Sequence, residues 1–138
     1  ISPLLARPVK QSRRLALWLR FSLLLCSCWS AWLGADETPV FRLTLKDHLF
    51  SPSTLQVPAG QKVKIIIHNQ DPNPEEFESF SLNREKVILG NGKATLFIGP
   101  LQPGRYHFFG EYNPDSAQGV LIALPEAQWQ QRRADNAN

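Results

Sequence analysis

The chain has 138 residues, 43% hydrophobic and 20% charged, a size and balance that suit one domain plus a terminal extra. Its net charge of +3 is uneven: Arg7, Lys10, Arg13, Arg14 and Arg20 come first, and from Asp36 onward ten Lys/Arg face twelve Asp/Glu. No basic patch interleaved with aromatics survives in that remainder, which argues against a nucleic-acid partner.

Arg7–Arg20 is basic and Phe21–Ala35 is apolar and uncharged, the order of the n-region and h-region of a secretory leader. Arg20 interrupts the apolar run short of the roughly 20 residues a membrane-spanning helix needs. Residues 1–35 are therefore expected to be a signal peptide cleaved after Ala35, delivering a periplasmic domain. Membrane contact would come only through an uncleaved or lipidated leader. Ser12-Arg13-Arg14 partly resembles a twin-arginine signal, and Leu25-Cys26-Ser27-Cys28 a lipoprotein box. Both cysteines lie here, and the chain has no methionine, so the mature domain offers no thiolate or thioether ligand.

Val40–Lys46 alternates, with Phe41, Leu43 and Leu45 on one face, and is predicted to be a half-buried strand. Asp47–Pro52 ends it, and Leu55-Gln56-Val57 runs into a turn at Pro58-Ala59-Gly60. Val63–His68 is the most β-branched run, with Val63, Ile65 and Ile67 on one face. Asn69–Pro74 is a loop by composition. Glu75–Leu82 reads as a strand whose face of Glu76, Glu78, Phe80 and Leu82 is expected to turn to the core. Carboxylates on such a face need a partner, a hydrogen bond or a metal.

Gly90-Asn91-Gly92 predicts a hairpin between Val87–Leu89 and Ala94–Ile98. Pro103-Gly104 introduces a strand with Tyr106 and Phe108 on one face, which opens at Gly110 into a polar loop. Val120–Leu124 closes a domain of residues 36–124, and residues 125–138 form a polar tail with a helical turn around Trp129. About seven short strands separated by turns, with no strong amphipathic helix, predict an all-β sandwich.

Phe50-Ser51-Pro52, Val57-Pro58-Ala59-Gly60-Gln61, the β-branched run ending at Asn69, Pro103-Gly104-Arg105-Tyr106 and Gly119-Val120-Leu121-Ile122 resemble the cupredoxin family. The resemblance implies a Greek-key β-sandwich. Glu76-Phe77-Glu78 is similar to the EfeO-type cupredoxin-like branch, whose members stand with bacterial iron-uptake permeases. Ordinary cupredoxins hold copper with two His, a Cys thiolate and a weak axial Met. Carried over, those positions fall near Glu75 or Glu76, at Gly110, at Asn113 and near Ala117. Every one is replaced, so type 1 blue copper is not expected.

Oxygen donors remain instead. Glu75, Glu76 and Glu78 come from one strand end and Glu111 from the facing loop. Such a cluster raises its own pKa values unless a cation sits among it. Carboxylates suit hard or borderline ions, and the resemblance favours iron, with copper second. His48 and His107 are weaker candidates. The expected function is periplasmic iron handling for a membrane iron permease or associated redox protein. The chain is not expected to be an enzyme, and any share in iron oxidation would need an external electron acceptor. The alternatives are a metal-free module that docks a transporter or oxidase through Asn83–Val87, and a copper chaperone using His48 or His107.

Overall fold

The computed structural model describes residues 37–138, which form a compact unit of their own. The expected leader and its cleavage point lie outside the described residues. No helix among the described residues is long and apolar enough to cross a membrane.

Nine strands rather than seven build two facing sheets. One holds β1 (Val40–Lys46), β2 (Leu49–Ser51), β4 (Val63–Asn69) and β7 (Lys93–Ile98) in the order β2-β1-β4-β7. The other holds β3 (Thr54–Pro58), β5 (Glu75–Ser79), β6 (Arg84–Ile88), β8 (Gly104–Gly110) and β9 (Gln118–Leu124) in the order β3-β9-β8-β5-β6. The pairs β1–β4 and β3–β9 are parallel and the remaining pairs antiparallel. The tail forms a longer helix than one turn, α1 (Glu126–Asp135), whose Trp129 packs edge-on against Phe41 at 5.8 Å.

The alternations predicted for β1 and β4 hold. Leu43 and Leu45 face inward from β1, and Val63, Ile65 and Ile67 from β4. They meet Phe77, Phe108 and Leu121 of the opposite sheet in one core. At its centre Phe77 stacks on Phe108 with ring centroids 5.2 Å apart, and Phe50 packs edge-on against both.

That cluster reverses the expected face of β5. Glu75, Phe77 and Ser79 are the inward residues, and Glu76 and Glu78 stand half-exposed on the outer face. Phe77 fills the centre of the core, and alternation then sends its neighbours outward. Strand pairing stops at Ser79, and a turn with Asn83 at φ +51° carries the chain into β6. The turn breaks the parity, so Leu82 returns to the core while Phe80 is 80% exposed.

Gly90-Asn91-Gly92 is a tight turn, but it carries the chain from one sheet to the other instead of closing a hairpin. The β4–β5 loop captures it. Asn69 N–H donates to the Gly92 carbonyl, Asn91 N–H to that of Asp71, and a Cβ on Gly90 would meet the Pro72 carbonyl. Asn69, fully buried, donates through Nδ2 to the Asn73 and Ile88 carbonyls and accepts from Asp71 N–H.

Asp71 fastens the same loop to the β1–β2 turn. Its carboxylate accepts from Asp47 N–H at 2.7 Å and His48 N–H at 2.9 Å, both residues having positive φ. The His48 N–H bond is the main cause holding the Asp71 carboxyl below its ordinary range; burial opposes it, and the Asp47 N–H and the charges of His48 and Lys46 assist.

Two expectations follow. Phe77→Ala should cost about 3–5 kcal/mol in chemical denaturation, whereas Phe80→Ser should stay within about 0.5 kcal/mol; equal losses would contradict this assignment of faces. A carboxyl with a lowered folded pKa stabilises fully above the unfolded value near pH 4 and loses that contribution as pH falls through the folded one. Asp71→Asn should therefore lower Tm at pH 7, by a margin that shrinks towards pH 2.

Candidate metal centre

Glu75 opens β5 at the loop end of the sandwich and is 1% exposed. Its Oε1 accepts from its neighbour Glu76 N–H at 3.0 Å and from Tyr112 N–H at 2.8 Å. Its Oε2 accepts from Asn113 Nδ2 at 2.7 Å. Gly110, the last residue of β8, pairs with Phe77 and donates its N–H to Ala117. The loop then folds back through Asn113 N–H to the Gly110 carbonyl and Ala117 N–H to the Asn113 carbonyl. A Cβ built on Gly110 would lie 2.6 Å from Glu75 Cδ and 2.7 Å from Ala117 Cβ.

Glu75, Gly110, Asn113 and Ala117 therefore converge at one point, as the carried-over ligand positions require. Their chemistry does not fit copper. No thiol, imidazole or thioether is among them, and the one carboxylate present is engaged by three N–H donors. Among the described residues no buried side-chain polar atom lacks a hydrogen-bond partner, so no donor atom waits for an ion here.

The other acids assemble elsewhere. Glu76, Glu78 and Glu85 each offer an oxygen, all within 4.8 Å of one another, on the outer face of the five-stranded sheet. Strand register explains the group: Glu78 lies directly opposite Glu85 across β5–β6, a like-charge pairing that is unfavourable without a cation. Burial and then the charges of Glu85, Glu111 and Glu76 push the Glu78 carboxyl up. Glu111 is exposed and acts on this cluster through its charge, without joining the group of three. Tyr112, half exposed at the rim, has its hydroxyl pushed up by burial first and then by Glu76, with Glu75 and Glu111 adding.

The six expected site residues thus separate. Glu75 serves the loop, and Glu76 and Glu78 stand together on the sheet with Glu111 nearby. His48 sits in the β1–β2 turn with Nδ1 3.6 Å from Asp71 Oδ2. His107 is exposed on β8, where it lines an open groove of ≈ 280 Å³ with Phe109, Pro114 and Gln118. Neither histidine joins a group of three candidate ligands among the described residues. Glu85 was not among the expected ligands. Pairing Glu75–Ser79 with Arg84–Ile88 about the polar turn would have found it, because that register sets Glu85 against Glu78.

The family profile described as a cupredoxin-like domain matches residues 15–123. An uncharacterized protein of Rickettsia prowazekii (strain Madrid E) is 43% identical over 87 residues, covering 63% of this chain and 70% of that protein. Among solved structures, auracyanin A, a "blue" copper protein of Chloroflexus aurantiacus, aligns with a TM-score of 0.56 at 15% identity, over 64% of this chain and all of that one. The metal-binding domain of the Cu(I)-exporting P-type ATPase CopA of Streptococcus pneumoniae D39 aligns with a TM-score of 0.52 at 17% identity, covering 62% of this chain and 84% of that one. At such identities these likenesses establish the fold, one shared with copper proteins and metal-binding domains. With its two-sheet topology and the match over most of its length, the chain belongs to the cupredoxin-like domain family.

Proposed function

We propose that this chain is a metal-handling accessory module whose ion sits on the outer-face carboxylates and not in the loop cradle. The observation that carries this reading is the convergence of Glu76, Glu78 and Glu85 within 4.8 Å. Three carboxylates form a hard donor set, suited to iron, manganese, magnesium or calcium more than to Cu(I). The likeness of Glu76-Phe77-Glu78 to the iron-uptake branch supports iron, and the copper-binding relatives keep copper second. In this reading Glu111 adds negative potential, and the half-exposed setting lets the ion pass to a periplasm-facing iron permease or an associated redox protein. The chain binds and delivers; oxidation of the ion would need an acceptor from outside.

Titration calorimetry with Fe(II), Fe(III), Mn(II), Cu(II) and Zn(II) tests the reading. One hard ion should bind per chain, and Glu78→Gln should weaken it at least tenfold; no binding, or no effect of Glu78→Gln and Glu85→Gln, would sink it. Without metal, the raised Glu78 pKa means that its charge costs stability above the unfolded carboxylate range. Glu78→Gln should therefore raise Tm at pH 7, with the gain vanishing below about pH 4.

A second reading, a metal-free docking module, is favoured by Phe80. This ring is 80% exposed and rests on Phe109 at 5.6 Å, and Val87, 44% exposed, lies on the adjacent strand. Complementation of a deletion strain under iron limitation separates the two. The metal reading requires failure of Glu76→Gln/Glu78→Gln/Glu85→Gln and success of Phe80→Ser. The docking reading requires the opposite, and full growth of both variants would exclude both.

A further inference from the structure

We propose that the Glu75 carboxylate takes the place of the metal at the loop end of the sandwich. It occupies the point on which the four ligand-bearing positions converge. It holds the β8–β9 loop there with hydrogen bonds, where a copper-bearing relative would use coordinate bonds.

Space is the first argument. A side chain at position 110 would begin 2.6 Å from Glu75 Cδ and 2.9 Å from Glu75 Oε1. Neither distance leaves room for a carbon, let alone a thiolate beyond it. With Glu75 placed this way and Ala117 opposite, position 110 accommodates only glycine. Ala117 closes the remaining side, its Cβ 2.7 Å from the same point. A longer residue at 117, such as a thioether ligand, would compete for volume the carboxylate already fills.

Hydrogen bonding is the second argument. A carboxylate 1% exposed is costly to bury unless its oxygens are engaged. Here Oε1 takes Glu76 and Tyr112 N–H, and Oε2 takes the Asn113 amide. Two of the three donors belong to the β8–β9 loop, 37 and 38 residues along the chain from Glu75. This is a cross-link between strand and loop, not local capping. Asn113 stands where the resemblance places an imidazole, and its amide points at the carboxylate as an imidazole would point at an ion. The cradle is therefore held together without metal, and an ion entering it would compete with these bonds for the carboxylate oxygens. This inference stands apart from the outer-face site, which shares none of these contacts except the Glu76 N–H.

Hydrogen exchange and thermal unfolding of the chelator-treated protein test the proposal. The Tyr112 amide should be protected, Cu(I) or Cu(II) should leave that protection unchanged, and copper should leave the Tm of Glu76→Gln/Glu78→Gln/Glu85→Gln, which lacks the outer-face carboxylates, unchanged. Glu75→Gln replaces charge-assisted bonds with neutral ones and requires the Asn113 amide to turn its oxygen towards the new Nε2, and it should lower Tm by roughly 5 °C. Adding Asn113→Asp restores an acceptor and should recover about half of that loss. Should Glu75→Gln fail to fold, Asn113→Ala removes one donor alone and should raise the Tyr112 exchange rate at least tenfold. An unprotected Tyr112 amide in the metal-free natural chain would overturn the proposal. So would copper raising Tm in a manner abolished by Glu75→Gln, which would make Glu75 a ligand.

Discussion

The packing of Phe77 between Phe50 and Phe108 is the constraint from which the chemistry of this molecule follows. An aromatic ring in a close-packed core has one acceptable direction, and a strand has only two faces. Once Phe77 points inward, Glu75 must point inward as well, and Glu76 and Glu78 must point outward. The acidic run therefore divides into one buried carboxylate at the loop end and a row of half-exposed ones on the sheet. A one-residue slip of β5 would exchange these roles and send Phe77 into solvent, so the hydrophobic term that fixes the register also fixes the site.

The two carboxylate environments differ in the way that decides function. Glu75 is surrounded by N–H donors and has no acidic side chain among its hydrogen-bond partners. Glu78 is surrounded by acids, and burial adds to their repulsion. The first arrangement is complete as it stands. The second is unsatisfied, since like charges set opposite each other on neighbouring strands gain only when a cation arrives. The loop end of the sandwich is thus closed by paired groups, and the electrostatic tension lies on an outer face.

How much of this was legible in the sequence depended on whether the pattern was local. Strands β1 and β4 were readable because Leu43 and Leu45, and Val63, Ile65 and Ile67, recur with period two and meet no competing choice. The family resemblance brings Gly110, Asn113 and the neighbourhood of Ala117 together with Glu75 or Glu76, and the inward face of β5 decides for Glu75. The face of β5 has no local signature because Phe77 and Phe80 have opposite parity, and only the partners Phe50 and Phe108 decide which ring is core. The Gly90-Asn91-Gly92 turn was recognised, but its crossing between sheets depends on Asn69, Asp71 and Pro72, contacts with no local signature. Glu85 was passed over because its meaning lies in the β5–β6 register and not in its neighbours Arg84 and Lys86.

The small residues at the loop end and the hydrogen-bonded carboxylate form one fitted set. A buried N–H group without an acceptor costs about 1–3 kcal/mol. Glu75 fills the space beside Gly110 and Ala117 and accepts from the Tyr112 N–H. Gly110 and Ala117 are small because the carboxylate needs their space, and Asn113 is an amide because the carboxylate needs a donor. Glu75, Gly110, Asn113 and Ala117 fit one another in space and in hydrogen bonding, and no buried side-chain polar atom among the described residues is left without a partner. The same bonds fix the loop that carries Tyr112 and Glu111 beside the acidic face of Glu76, Glu78 and Glu85.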